Sequence, residues 1–160
     1  MRLFKKTRYH IASARHYAIY TEKRLYYARF LCIMLYIPKT EVFSMKVREI
    51  QEILAAQVIC GEEFLDREVF SACGSDMMSD VLAYVKEQAV LLSGLVNPQV
   101  VRTAEMMDMQ CIVFVRGKRP DDSIIGLARD RDIVLLSTQY PMFASCGMLY
   151  EKGLRGGAIR

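Results

Sequence analysis

Three apolar runs limit this chain most: AVLLSG (89–94), CIVFVRG (111–117) and IVLLST (133–138). Each has the length of a strand and is continuous rather than alternating. Each also ends in Gly, Ser or Thr. Such runs read as strands buried on both faces, the pattern of a parallel sheet covered by helices. The segments between them have helical signatures. NPQVVRTAEMMD opens with Asn97 as N-cap and Pro98 at the first helical position. PDDSIIGLARDRD carries acids in its first turn, where they complement the helix dipole.

The same reading extends in both directions. KVREIQEILAAQ places Val47, Ile50 and Leu54 on one helical face, QVICG is a short strand, and EEFLD a turn. EVFSACG is a further strand, and residues 77–85 a helix with Met77, Val81 and Val85 toward the core. QYPMFASCGMLYEKG is a closing helix stopped by Gly153, after which LRGGAIR frays. From Glu68 the order is β-α-β-α-β-α-β-α. The predicted fold class is α/β, a three-layer sandwich with a mostly parallel sheet. Right-handed crossovers bring the C-terminal strand ends to one rim, where open α/β sheets bind ligands. Those ends read Gly74-Ser75-Asp76, Ser93-Gly94, Arg116-Gly117-Lys118-Arg119 and Ser137-Thr138.

Three groups on that rim are candidates. In GSDMMSD, the acids Asp76 and Asp80 lie four apart beside Ser75 and Ser79, after Gly74. They suit a hydroxyl, an amine or a metal-bridged ligand, while the backbone and hydroxyls suit an anion. The plain alternative is a helix cap made by Ser75 or Asp76, with the acids complementing the dipole. In RGKRPDD, the cations Arg116, Lys118 and Arg119, with Gly117 between them, could clamp a phosphate or carboxylate. The alternative is a solvated loop balanced by Asp121 and Asp122. Ser137 and Thr138 either touch a ligand or cap the next helix.

Exclusions narrow the chemistry. From Met45 on there is no histidine, which removes His-based triads, His-assisted cysteine nucleophiles and most zinc sites. Neither a GxxxxGK[ST] loop nor a GxGxxG fingerprint occurs. No metal or cofactor is expected. The five cysteines are an odd number at wide spacing, and 60, 73, 111 and 146 sit among apolar residues as free thiols do in a reducing cytoplasm. No apolar run is long enough to span a membrane. Met77, Met106, Met107, Met109, Met142 and Met148 are placed on helices or their ends, filling core gaps or forming an adaptable interface.

The net charge of +4 combines two unlike parts. Residues 1–44 hold nine Lys/Arg, two Glu, both histidines and six of the nine tyrosines, whereas residues 45–160 hold 13 Lys/Arg and 16 Asp/Glu. A basic, tyrosine-rich arm can contact nucleic acid. The competing reading is a mis-called start. Glu41-Val42 can be encoded by a purine-rich run of the kind bacterial ribosomes bind, a short spacer ahead of Met45. The second reading is preferred, and nucleic acid is not the expected partner. The expected organisation is an extension over 1–44, an α/β domain over 45–154 and a frayed tail over 155–160.

The pieces GEEFLDREV, GSDMMSDVLA, NPQVV and PDDSIIGLARDRDIVLLST together resemble a stand-alone DRTGG domain from Met45 to about Leu154. The literal Asp-Arg-Thr-Gly-Gly string is absent. The resemblance implies a fold similar to the N-terminal domain of HPr kinase/phosphorylase, and an accessory, dimerising regulatory module of the kind that accompanies CBS pairs. The kinase chemistry of HPr kinase belongs to a separate phosphate-loop domain. The expected function is therefore a cytoplasmic, non-catalytic homodimer sensing a small ligand, a nucleotide or another anion, or regulating a protein partner. The alternatives are an interaction adaptor without a ligand, or an enzyme using Asp76, Asp80 and the Arg116–Arg119 loop.

Overall fold

The computed structural model describes residues 43–85 and 88–156. Residues 1–42 of the expected extension, Cys32 among them, lie outside the described residues.

A short strand β1 (Met45–Lys46) leads into helix α1 (Val47–Ile53), where Glu49 accepts a hydrogen bond from the Lys46 N–H at 2.7 Å. Strand β2 (Gln57–Cys60) follows, then a single 3-10 turn (Glu62–Phe64) entered through Gly61 at φ 84°. The run EVFSACG is not one strand. It divides into β3 (Glu68–Val69), paired antiparallel with β1, and β4 (Ser71–Gly74), with half-exposed Phe70 at the break. The remainder alternates as predicted: α2 (Met78–Tyr84), β5 (Ala89–Ser93), α3 (Pro98–Met106), β6 (Cys111–Phe114), α4 (Asp122–Arg129), β7 (Val134–Ser137) and α5 (Met142–Glu151).

The main sheet has the order β2-β7-β6-β5-β4. Strands β4 to β7 are parallel and β2 is an antiparallel edge. Strands β5, β6 and β7 are buried throughout, as uninterrupted apolar runs require. Alternate residues of one strand face opposite layers. Leu91, Ile112, Phe114 and Leu135 pack against α2, α3 and α4 through Val81, Val101, Ala104 and Ile124. Val90, Leu92, Val113 and Leu136 pack against α1 and α5 through Ile50, Leu54 and Leu149. This is the three-layer α/β sandwich expected from the sequence.

Because β4, β5, β6 and β7 lie side by side in chain order, the three crossovers run in one direction. Right-handedness then puts α2, α3 and α4 on the same face. Thus the parallel strands never reverse order, and no crevice of the switch-point kind opens among them.

Asn97 is the expected N-cap of α3 and accepts from the Val100 N–H at 3.2 Å. Asp121, expected only among the acids of the first turn, is itself the N-cap of α4 and accepts from the Ile124 N–H at 3.0 Å. The closing helix stops before Gly153, at φ 106°. The start of α2 differs from expectation. Met77 is its N-cap residue, without a side-chain cap, so neither Ser75 nor Asp76 caps it. Met78 and Val81 face the core, while Met77 is 61% exposed. Met106, at 73%, is likewise outside the core that methionines were expected to fill, whereas Met109 is buried. No helix among the described residues is long and apolar enough to cross a membrane.

Candidate functional site

The rim forms where the parallel strands end. Register sets Gly74 beside Leu92, Ser93 beside Phe114, and Phe114 beside Ser137. The ladder continues for one further bond at each step: Ser75 N–H to Leu92 O, Val115 N–H to Ser93 O, and Thr138 N–H to Phe114 O. Beyond that point the chain must leave the sheet, and side chains take over the bonding.

Asp76 lies at the centre. One carboxylate oxygen accepts from the Gly94 N–H at 2.5 Å and the Ser93 hydroxyl at 3.2 Å; the other accepts from Arg116 Nη2 at 3.1 Å. Burial alone would raise the Asp76 pKa. The Gly94 N–H, Arg116 and Ser93 outweigh it and hold the carboxyl below the usual carboxylate range. Ser93 in turn accepts from the Leu95 N–H at 3.1 Å, which folds the β5–α3 turn around the carboxylate.

Arg116 reaches Asp76 because of its turn. Arg116 and Gly117 both have φ 65°, and the Lys118 N–H bonds to Val115 O at 3.4 Å, the pattern of a type I′ turn. A non-glycine residue in this region costs energy and marks a place held by its surroundings. The turn is tied down by the Arg116 N–H to Tyr140 O, 2.9 Å, and the Gly117 N–H to Thr138 O, 2.8 Å. It lays the guanidinium directly over Gly94. A β-carbon at Gly94 would sit 1.5 Å from Arg116 Nη2, so only glycine admits this contact. Lys118 Nζ then donates to Gly94 O at 2.5 Å.

The candidates are thus only partly united. Asp76, Arg116 and Lys118 converge on Gly94, while Gly117 is tied to Thr138 O. Arg119 turns the other way and donates to Gln57, at the sheet's opposite edge. Ser137 Oγ donates to Lys118 O at 2.8 Å, and Thr138 Oγ1 donates to Leu54 O at 2.7 Å and accepts from the Tyr140 N–H at 3.3 Å. Both therefore brace the rim from below. Neither caps α5, whose N-cap residue is Pro141. Ser75 Oγ folds back on the Met77 N–H at 3.0 Å. Gly74 serves packing, since a β-carbon there would meet Cys146 Sγ at 2.7 Å. Asp80 and Ser79 are exposed in the first turn of α2 and take no part in this hydrogen-bond network.

Sequence reasoning placed Ser93-Gly94 on the rim without giving it a role, and did not single out Gln57. The available signal was a Ser-Gly pair ending a fully buried strand, since glycine there often marks a close approach. Two open grooves of about 400 and 430 Å³ lie at the opposite pole, either side of Asp132 and Ile133, and no sequence-predicted site residue reaches them. The thiols of Cys60, Cys73, Cys111 and Cys146 are all pushed up by burial, which is the reverse of an activated nucleophile. Among the described residues no group of His, Cys, Asp and Glu could hold a metal ion.

The model of the DRTGG domain family matches residues 49–151, from the first turn of α1 to the end of α5. The chain belongs to the DRTGG domain family. Among solved structures, this DRTGG domain is similar in fold to the CBS and DRTGG domains of the regulatory region of Clostridium perfringens pyrophosphatase, complexed with the activator diadenosine tetraphosphate. The TM-score is 0.53 at 16% identity, over 65% of this chain and 45% of that one, so the chain spans under half of that region. No curated protein matches the chain.

Proposed function

We propose that this DRTGG domain is a non-catalytic regulatory module that senses a small phosphate-bearing ligand and acts as a homodimer. The observation that carries the reading is the convergence of Arg116 and Lys118 on Gly94, where a guanidinium, an ammonium and a backbone N–H share one small area of rim. Those donors recognise phosphate or carboxylate. The regulatory region of similar fold was obtained with a nucleotide activator, which supports a nucleotide as first choice of probe.

The rim is poorly arranged for catalysis. Its central carboxylate is ion-paired, with its pKa lowered, and a general base works best with a pKa near the working pH. Dimerisation is supported by α5, which is apolar on nearly every side. Phe143 is 90% and Tyr150 58% exposed on its outer face, with exposed Gly147 between them. A helix apolar all round is ordinarily covered on all sides. The same face favours a second reading, an adaptor that binds a protein partner and no small ligand.

Thermal-shift titration with diadenosine tetraphosphate, ATP, AMP and pyrophosphate separates the two. Sensing predicts a saturable rise in apparent stability, about 2.7 kcal/mol at a hundred times Kd, with the nucleotide recovered intact. Absence of any response across these probes would leave the adaptor reading. Nucleotide turnover that survives purification and is lost in Asp76→Ala would sink the non-catalytic one.

A further inference from the structure

Asp76 does to the rim what a bound anion would do. Its oxygens take the Gly94 N–H, the Ser93 hydroxyl and the Arg116 guanidinium, at 2.5, 3.2 and 3.1 Å. Lys118 stands beside them on Gly94 O. Amide, hydroxyl and guanidinium around one oxygen-bearing group, with an ammonium beside them, are what recognise phosphate. Three further features show the arrangement to be built rather than incidental. Gly94 lacks the side chain that would displace Arg116, Arg116 holds a positive φ to reach over it, and the 93–95 turn closes on the carboxylate through Ser93. Yet Asp76 sits on a connection before α2, not in the sheet, and its side chain is 47% exposed. A carboxylate placed so can leave without breaking the ladder.

We propose that the Asp76 carboxylate is an internal stand-in for a ligand phosphate, and that the DRTGG rim binds phosphate by exchange, with Arg116 and Lys118 passing from Asp76 and Gly94 O to the ligand. This rests on the sensing function proposed above and specifies its site and trigger. Exchange breaks no covalent bond. It releases Asp76, and with it the start of α2, from the β5–α3 and β6–α4 turns. Ligand occupancy is thereby converted into freedom of one connection, a change a partner surface can read.

The test is phosphate and pyrophosphate binding by calorimetry, at constant ionic strength with chloride as the balancing anion, for wild type, Asp76→Asn and Arg116→Ala. Asn keeps an acceptor for the Gly94 N–H and removes the competing charge. Asp76→Asn is expected to bind at least about tenfold more tightly than wild type, and Arg116→Ala to lose binding. AMP and ATP as further arms show whether a free phosphate or a nucleotide phosphate is preferred. Wild-type protein gives an independent readout, since the Gly94 amide proton resonance must move on titration with pyrophosphate. Equal affinity in wild type and Asp76→Asn, a static Gly94 resonance, or a response that chloride reproduces would each overturn the exchange. If nucleotides stabilise Arg116→Ala as well as wild type, the sensing function stands and this site for it falls.

Discussion

Substituting Gly94 with alanine tests the rim geometry directly. The new β-carbon would sit 1.5 Å from Arg116 Nη2, 2.5 Å from its Cζ and 2.9 Å from its Nε. All three atoms belong to the flexible end of one side chain, so the backbone need not yield. Arg116 swings out, and the cost is the Arg116–Asp76 contact. That pair is half exposed on both sides, which limits a bare ion pair to roughly 0.2–1 kcal/mol. Loss of the charge-assisted hydrogen bond brings the total toward about 1–2 kcal/mol. Gly94 does not occupy the left-handed region, so alanine also restricts the unfolded chain and returns about 0.4–1 kcal/mol. A net loss of about 0.5–1 kcal/mol is expected in wild type. In an Arg116→Ala background the obstruction is gone, and the same substitution should become neutral or stabilising. Urea unfolding followed by circular dichroism on the four proteins of this cycle gives the coupling. Equal cost in both backgrounds would refute the close approach of Arg116 to Gly94.

Two buried threonines should respond oppositely to valine: Thr138→Val strands Leu54 O and costs about 1–3 kcal/mol, whereas Thr103→Val removes a buried hydroxyl with no partner and is neutral or stabilising in the same unfolding assay. The Asp76 pKa is lowered on folding, so its contribution is complete above the unfolded value near about 4 and is lost as pH falls through the lower folded value. Asp76→Asn should therefore flatten that acid limb of the stability curve, as measured by Tm against pH, and leave the region above about pH 5 parallel to wild type. On the proposed homodimer, Phe143→Glu, at a side chain 90% exposed, should change stability by less than about 0.5 kcal/mol while shifting sedimentation toward the monomer.

Much of the fold was legible because burial on both faces leaves a plain trace. Strands β5, β6 and β7 are runs that no amphipathic element would carry, and Asn97-Pro98 marks a helix start by side-chain chemistry alone. The errors arose where tertiary contacts decide. GSDM looks like a cap because Ser and Asp favour that role locally. In the folded chain Asp76 instead finds a backbone N–H and a guanidinium supplied by the two neighbouring turns, from residues 18 and 40 positions away. The helix then begins later, at Met78, and the four-residue spacing of Asp76 and Asp80 ceases to mean a shared face. Thr138 looks like a cap for the same local reason, yet its partner, Leu54 O, is 84 positions distant. Phe70 interrupts a run that periodicity alone reads as one strand, because β3 pairs with β1 and not with the main sheet.

The topology explains why this rim is bridged rather than hollow. In a doubly wound sheet the order of strands reverses, adjacent connections leave on opposite faces, and a crevice opens between them. Here three successive crossovers leave on one face, so the turns after β4, β5 and β6 follow one another like overlapping tiles. Asp76 spans from the first to the second, and Arg116 returns from the third across both. The connection after β7 crosses to the other face to reach α5, and it is there that Thr138 and Tyr140 anchor the Arg116 turn. The two open grooves lie away from this rim. Under the proposed exchange a ligand takes over donors already in use, so its affinity is set against the strength of the internal contact it replaces. On that proposal the Asp76–Arg116 pair sets the threshold at which the module responds. Weakening it should lower that threshold with little change in the fold beneath, whose strands β5, β6 and β7 are bonded and buried independently of it.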